Sequence, residues 1–230
     1  MGEMIEFKNN GSSVRGYLAI PITTPAPGVL VLQEWWGLVP QITHTCDRLA
    51  DEGFVALAPD LYHGEIAHHT EMDKAAHLMT TLPPDRAALD MRSAIDALLD
   101  HVTVCGDAVG VLGFCMGGML ALLVAAQQGP LISAVVPFYG APLGDNAPDW
   151  SNLRAPVLGH LAENDDFFPL PAMRDLETTL HSLGKNATFH VYPGTGHAFA
   201  NEENPIGTYN PDAGKIAWER SVDFLRAQLG

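Results

Sequence analysis

The sequence predicts an α/β protein: a mostly parallel sheet covered by helices on both faces and preceded by an antiparallel hairpin. Three observations predict it. From Val29 onward, short apolar runs rich in β-branched residues alternate with stretches of helical spacing, and no internal repeat interrupts them; this is the order of a parallel sheet with crossover helices. The runs 28–33 and 109–112 are continuously apolar, as expected of strands buried on both faces. The short runs 4–7 and 14–20 flank Asn9-Asn10-Gly11-Ser12, whose Asn-Gly step fits a hairpin turn.

The remaining elements follow in order. A helix is predicted over 42–52, a strand over 53–60, and helices over 71–79 and 85–100 separated by Pro83-Pro84. In the second of these helices Leu89, Ala94, Ile95, Leu98 and Leu99 are expected to face inward, and the pair is placed to cap a site. Strands are expected over 132–140, 155–161 and 187–192, a helix over 173–183 closed by Gly184, and a last helix over 213–229 behind Asp212 as N-cap. The 230 residues fit one domain, 1–230, with 47% hydrophobic and 17% charged residues.

A net charge of −15 argues against nucleic acid or an anionic membrane as partner, because both need a basic face. The first residues, Met1-Gly2-Glu3-Met4-Ile5-Glu6, lack a basic segment followed by an apolar run, and no run reaches about eighteen apolar residues. A cytoplasmic protein, a monomer or small homo-oligomer, is therefore expected. Cys46, Cys105 and Cys115 are an odd number at wide spacing, which fits neither a disulfide framework nor a zinc site. His63, His68 and His69 share one loop without regular ligand spacing, so solvated or lid-forming histidines are expected there rather than a metal.

Chemistry concentrates at strand ends. The run 109–112 feeds Gly113-Phe114-Cys115-Met116-Gly117, a Gly-x-Cys-x-Gly turn that opens into an alanine-rich helical segment. This is a nucleophile elbow with a thiol at its apex. Taken alone, the pattern is equally compatible with a buried cysteine on an ordinary strand-to-helix turn. A sulfur at a helix N-terminus is expected to favour thiolate below the free-thiol pKa of about 8.5, and the N–H of Met116 can donate to an oxyanion. At the end of the run 28–33, Gln33-Glu34-Trp35-Trp36-Gly37 places an acid beside two tryptophans at the edge where ligands sit in open α/β sheets. A packing cluster with a solvated acid accounts for that loop as well; on the elbow reading, the N–H of Trp35 is the second oxyanion donor. The strand ends further on deliver Asp165-Asp166 and then His197. Nucleophile, acid, histidine is the chain order of the α/β-hydrolase triad.

At these residues the chain resembles the dienelactone hydrolases (carboxymethylenebutenolidases), a cysteine branch of the α/β-hydrolase fold. The resemblance spans essentially the whole chain and rests on residues 33–37, Ala58-Pro59-Asp60-Leu61-Tyr62, Gly113 to Gly118, Asp165-Asp166-Phe167-Phe168-Pro169 and Gly196-His197-Ala198-Phe199. It implies that the triad acid is Asp165, four residues before Pro169, with Asp166 as the fallback. It also implies that Glu34 lies beside Cys115 and takes its proton when substrate binds, the resting thiol staying largely unreactive because a nearby carboxylate opposes the thiolate. One departure stands out. The family's enzymes hold the substrate carboxylate with arginines in the cap helix and just after the catalytic histidine, whereas here the second region reads Ala198-Phe199-Ala200-Asn201 and the stretch 71–79 holds Lys74 but no arginine.

The reading is a hydrolase of a small activated ester or enol-lactone, acting through Cys115, His197 and Asp165 with Glu34, and needing no metal or organic cofactor. Trp35, Trp36, Phe168 and Phe199 are expected to form an apolar substrate pocket. A carboxylesterase of different range, or a catalytically silent fold that binds a small molecule, are the rivals.

Overall fold

The computed structural model describes residues 1–9 and 12–230. Among these described residues are eight strands: β1 (Glu3–Asn9), β2 (Ser12–Ala19), β3 (Ala26–Leu32), β4 (Val55–Pro59), β5 (Val104–Phe114), β6 (Ile132–Phe138), β7 (Val157–Asn164) and β8 (Ala187–Gly196). The same residues form six α-helices between and after them: α1 (Pro40–Asp51), α2 (Met72–Thr81), α3 (Pro84–Leu99), α4 (Met116–Gln128), α5 (Leu170–Ser182) and α6 (Pro211–Leu229). The strands form one sheet in the order β1-β2-β4-β3-β5-β6-β7-β8. β1 and β2, and β2 and β4, pair antiparallel; every other pair is parallel. The predicted Asn10-Gly11 turn between β1 and β2 lies outside the described residues.

The register decides where chemistry is possible. Leu32 sits opposite Gly113, Phe114 opposite Phe138, Phe138 opposite His160, and Asn164 opposite Gly196. The carboxyl ends of β3, β5, β6, β7 and β8 therefore share one rim, and the residues just past them become neighbours. β3 lies between β4, which follows it, and β5, which returns on its other side. That reversal opens the crevice in which α/β sheets place ligands.

The core strands carry Val29, Leu30, Val31, Leu32, Val111, Leu112, Val135 and Val136 at no exposure. α4 is buried almost all round, as its apolar composition requires. Two expectations need correction. Leu89 faces solvent, and the inward stripe of α3 is Ala87, Met91, Ala94, Ile95 and Leu98. At 3.6 residues per turn a residue two places from both 87 and 91 falls on the opposite face. The N-cap of α6 is Asn210, whose Oδ1 accepts the Ala213 N–H at 3.0 Å; Asp212 stands one residue inside, after Pro211. Among the described residues, no helix is long and apolar enough to cross a membrane.

Candidate active site

The chain turns from β5 into α4 at Cys115, which adopts φ 52° and ψ −116°, a conformation that L-residues rarely hold. Its surroundings enforce it. The Cys115 N–H donates to the Phe138 carbonyl at 3.0 Å, and its own carbonyl accepts from Met119 at 3.1 Å. A Cβ on Gly113 would overlap the Gly117 backbone, and one on Gly117 would overlap the Leu32 carbonyl, so both positions demand glycine for helix and strands to approach this closely.

The thiol at the apex is buried, and burial together with the carboxylate of Glu34 pushes it well above its ordinary value. The Met116 N–H opposes this and is outweighed. The pull of the helix terminus toward thiolate is outweighed, in the direction that the resemblance implies for Glu34: an N-terminal dipole end is worth about 1 kcal/mol, less than removing a charge from water beside an acid.

Glu34 follows β3 and is 1% exposed. Tyr139, the residue after β6, donates its hydroxyl to Glu34 Oε1 at 3.3 Å, and Asn201 Nδ2 donates to Oε2 at 2.9 Å. The Asn201 amide is oriented by the Glu203 N–H, which donates to its Oδ1 at 3.1 Å. Burial raises Glu34 above the usual carboxylate range, while His197 and the two donors pull the other way.

Asp165, at the end of β7, is held differently. Its Oδ1 accepts the N–H groups of Phe167 and Phe168, each at 2.9 Å, and its Oδ2 lies 2.9 Å from His197 Nδ1. Asp166 is exposed and takes no part in this pairing. The His197 ring, at the end of β8, is stacked against Phe168 (centroids 5.7 Å apart), flanked by Phe167 at 4.7 Å and met edge-on by Tyr139 at 5.2 Å. Thr208 Oγ1 donates to the His197 carbonyl and fixes the backbone behind it.

Cys115, Glu34 and His197 open into one cavity of about 770 Å³, together with Trp35, Trp36, Met116 and Phe168. Its roof is the helical pair: Met79 and Thr80 from α2, then Pro84, Ala87, Ala88 and Met91 from α3. Phe199 does not line it. That ring is fully buried and packs against Tyr139 and Tyr192, because the turn after His197 directs it back under the sheet rim. The three loop histidines take separate partners: His63 Nε2 lies 2.7 Å from Asp90 Oδ2, His69 packs edge-on to Trp36, and the His68 N–H donates to Glu71. Among the described residues, no group of three His, Cys, Asp or Glu side chains is placed to hold a metal ion.

Tyr139 and Asn201 were not assignable from sequence. Tyr139 stands next to last in the strand predicted over 132–140, at the correct edge, but its hydroxyl reaches a carboxylate 105 positions away.

The model of the Dienelactone hydrolase family matches residues 14–229. The chain belongs to the dienelactone hydrolase family. Two relatives support the assignment over their full lengths: "Protein usf" of Aquifex pyrophilus, 38% identical over 235 residues, and a "Putative carboxymethylenebutenolidase" of Aquifex aeolicus, 38% identical over 236 residues, with 100% of each chain covered. A crystal structure described as a putative dienelactone hydrolase from Klebsiella pneumoniae superposes with a TM-score of 0.86 at 27% identity, covering 98% of both chains. As a member of this family the chain is a hydrolase of small molecules on the α/β-hydrolase fold.

Proposed function

We propose that the protein hydrolyses a small activated ester or enol-lactone by covalent catalysis at Cys115. The observation that carries this reading is the shared rim: His197, bonded through Nδ1 to Asp165, opens into the same cavity as the sulfur on the strained turn. Because burial and Glu34 both disfavour the thiolate, a base must act first. Glu34 or His197 accepts the proton, and Sγ attacks the substrate carbonyl carbon. The carbonyl oxygen becomes an oxyanion, received by the N–H groups of Trp35 and Met116, at roughly 3 kcal/mol per donor. Collapse of the adduct breaks the bond to the alkoxide or enolate, which takes a proton from the acid form of the base, and leaves a thioester on Cys115. His197, its tautomer fixed by Asp165, then removes a proton from water; the hydroxide attacks the thioester carbonyl, the C–S bond breaks to release the carboxylic acid, and the departing thiolate takes the proton back from the imidazolium.

Sulfur expels a stabilised enolate readily and an amide nitrogen poorly, which ranks esters and lactones above peptides. Incubation of His197→Ala with p-nitrophenyl acetate, followed by intact-mass and peptide mass spectrometry, is expected to show one acetyl group on Cys115, removable by hydroxylamine. Acetyl on another residue, or a Cys115→Ala protein with undiminished turnover, refutes the mechanism.

A further inference from the structure

We infer that the site selects substrates without a charge of their own: an uncharged ester or lactone whose apolar part fills the space under the helical roof. This rests on the hydrolase reading above and adds the class of molecule that enters. Beyond the reacting groups, the walls are Met79, Leu82, Met91, Met119, Leu123 and Ile206, and the polar wall groups are the neutral side chains of Thr80, Gln127 and Asn146. Among the described residues, neither an arginine nor a lysine lines the cavity, and its one resident carboxylate is Glu34.

The cations of the roof serve elsewhere. Arg86 reaches the Leu61 carbonyl at 3.4 Å, Arg92 holds Asp96 and Gln128 at 3.0 and 2.9 Å, and Lys74 lies beside Glu71. Nor does Asn201 line the cavity: it is fully buried, with its Nδ2 donating to Glu34 and its Oδ1 accepting from Glu203. An incoming carboxylate would lose its water, find no counter-ion and stand near an acid, each of which disfavours binding. A methylene chain has the opposite outcome, because every CH₂ leaves water for an apolar wall. A cavity of about 770 Å³ is in the range that encloses ligands well beyond a single small ring.

The test is a matched pair, p-nitrophenyl hexanoate and the p-nitrophenyl monoester of adipic acid, which differ chiefly in a terminal carboxylate, assayed with a series from acetate to octanoate. The expected kcat/KM is about 100-fold or more higher for the hexanoate, and it rises about three- to fourfold per methylene until the cavity is full. Met79→Arg, at a partly buried wall position, is expected to raise the adipate monoester rate about tenfold while lowering the hexanoate rate. Equal or faster turnover of the adipate monoester overturns the inference and leaves the hydrolase reading standing. A binding arm separates the two claims: thermal shift with 1,1,1-trifluoro-2-octanone against the corresponding ketone carrying a terminal carboxylate. Stabilisation by the neutral ketone alone, with no turnover of any ester, keeps the selectivity and overturns the hydrolase reading; equal stabilisation by both ketones overturns the selectivity.

Discussion

Two strand ends of the same sheet each deliver a buried carboxylate to the site, Glu34 on the cavity wall and Asp165 behind His197, and they treat it in opposite ways. Past β7, Asp165 receives two backbone N–H groups on one oxygen and the imidazole of His197 on the other. Fixed donors on the main chain leave that group no freedom to move or to change partner. Past β3, Glu34 receives a phenol at 3.3 Å and a carboxamide at 2.9 Å, both carried by side chains, with burial working against its charge. An acid clamped by backbone orients its neighbour, whereas one held by neutral side chains in a dry site is poised to take up a proton.

Substitution separates the two carboxylates most strongly. Asp165→Asn keeps the shape but reverses the preferred tautomer of His197, and about a 10³- to 10⁴-fold loss of kcat on p-nitrophenyl esters is expected. Asp166→Asn, on the exposed neighbour, should stay within about twofold. Glu34→Gln removes one of two candidate bases, and a smaller loss of about 10²- to 10³-fold in kcat/KM is expected, with acylation rather than deacylation slowed in single-turnover measurements. A larger loss at Glu34 than at Asp165 would exchange their roles.

The pH dependence sharpens the same contrast. If Glu34 must be ionised to accept the thiol proton, the acid limb of kcat/KM falls at a pH above the ordinary carboxylate value of about 4.3, because burial raises this group. Asn201→Ala removes a donor that favours the charged form, so the limb should move to still higher pH while the plateau changes by no more than about threefold. A limb that stays in place under Asn201→Ala assigns it to another group.

Much of this was legible in the sequence, for reasons that can be named. The parallel sheet, the elbow and the order Cys115, Asp165, His197 follow from apolar runs that each end in a chemically loaded turn, and the register then brings those ends to one rim. Resemblance favours Asp165 with Asp166 as the fallback, and His197 Nδ1 lies 2.9 Å from Asp165 Oδ2 while Asp166 is exposed. What was hidden depends on distance along the chain or on direction in space. Tyr139 and Asn201 converge on Glu34 from residues 105 and 167 positions away, which no local pattern reports. Phe199 has the composition of a pocket residue but lies on the wrong side of its turn, and the thiol's environment is set by burial that periodicity does not measure.

The smallest effect is on stability, and its sign follows from the raised value of Glu34. In the window between the ordinary carboxylate pKa and the raised one, the folded state keeps a proton that the unfolded state has released. Folding stability therefore falls as pH rises through that window and stays reduced above it. Glu34→Gln removes the titration. It also preserves the local bonds, since the glutamine oxygen can accept from Asn201 while its amide donates to the Tyr139 hydroxyl, which turns to accept. The variant should have a higher Tm than wild type at pH 7.5, and the gap should close at pH 4. A catalytic loss accompanied by this gain marks Glu34 as a charge that the fold tolerates for the chemistry; a Tm that falls at every pH would make it a structural acid like any other.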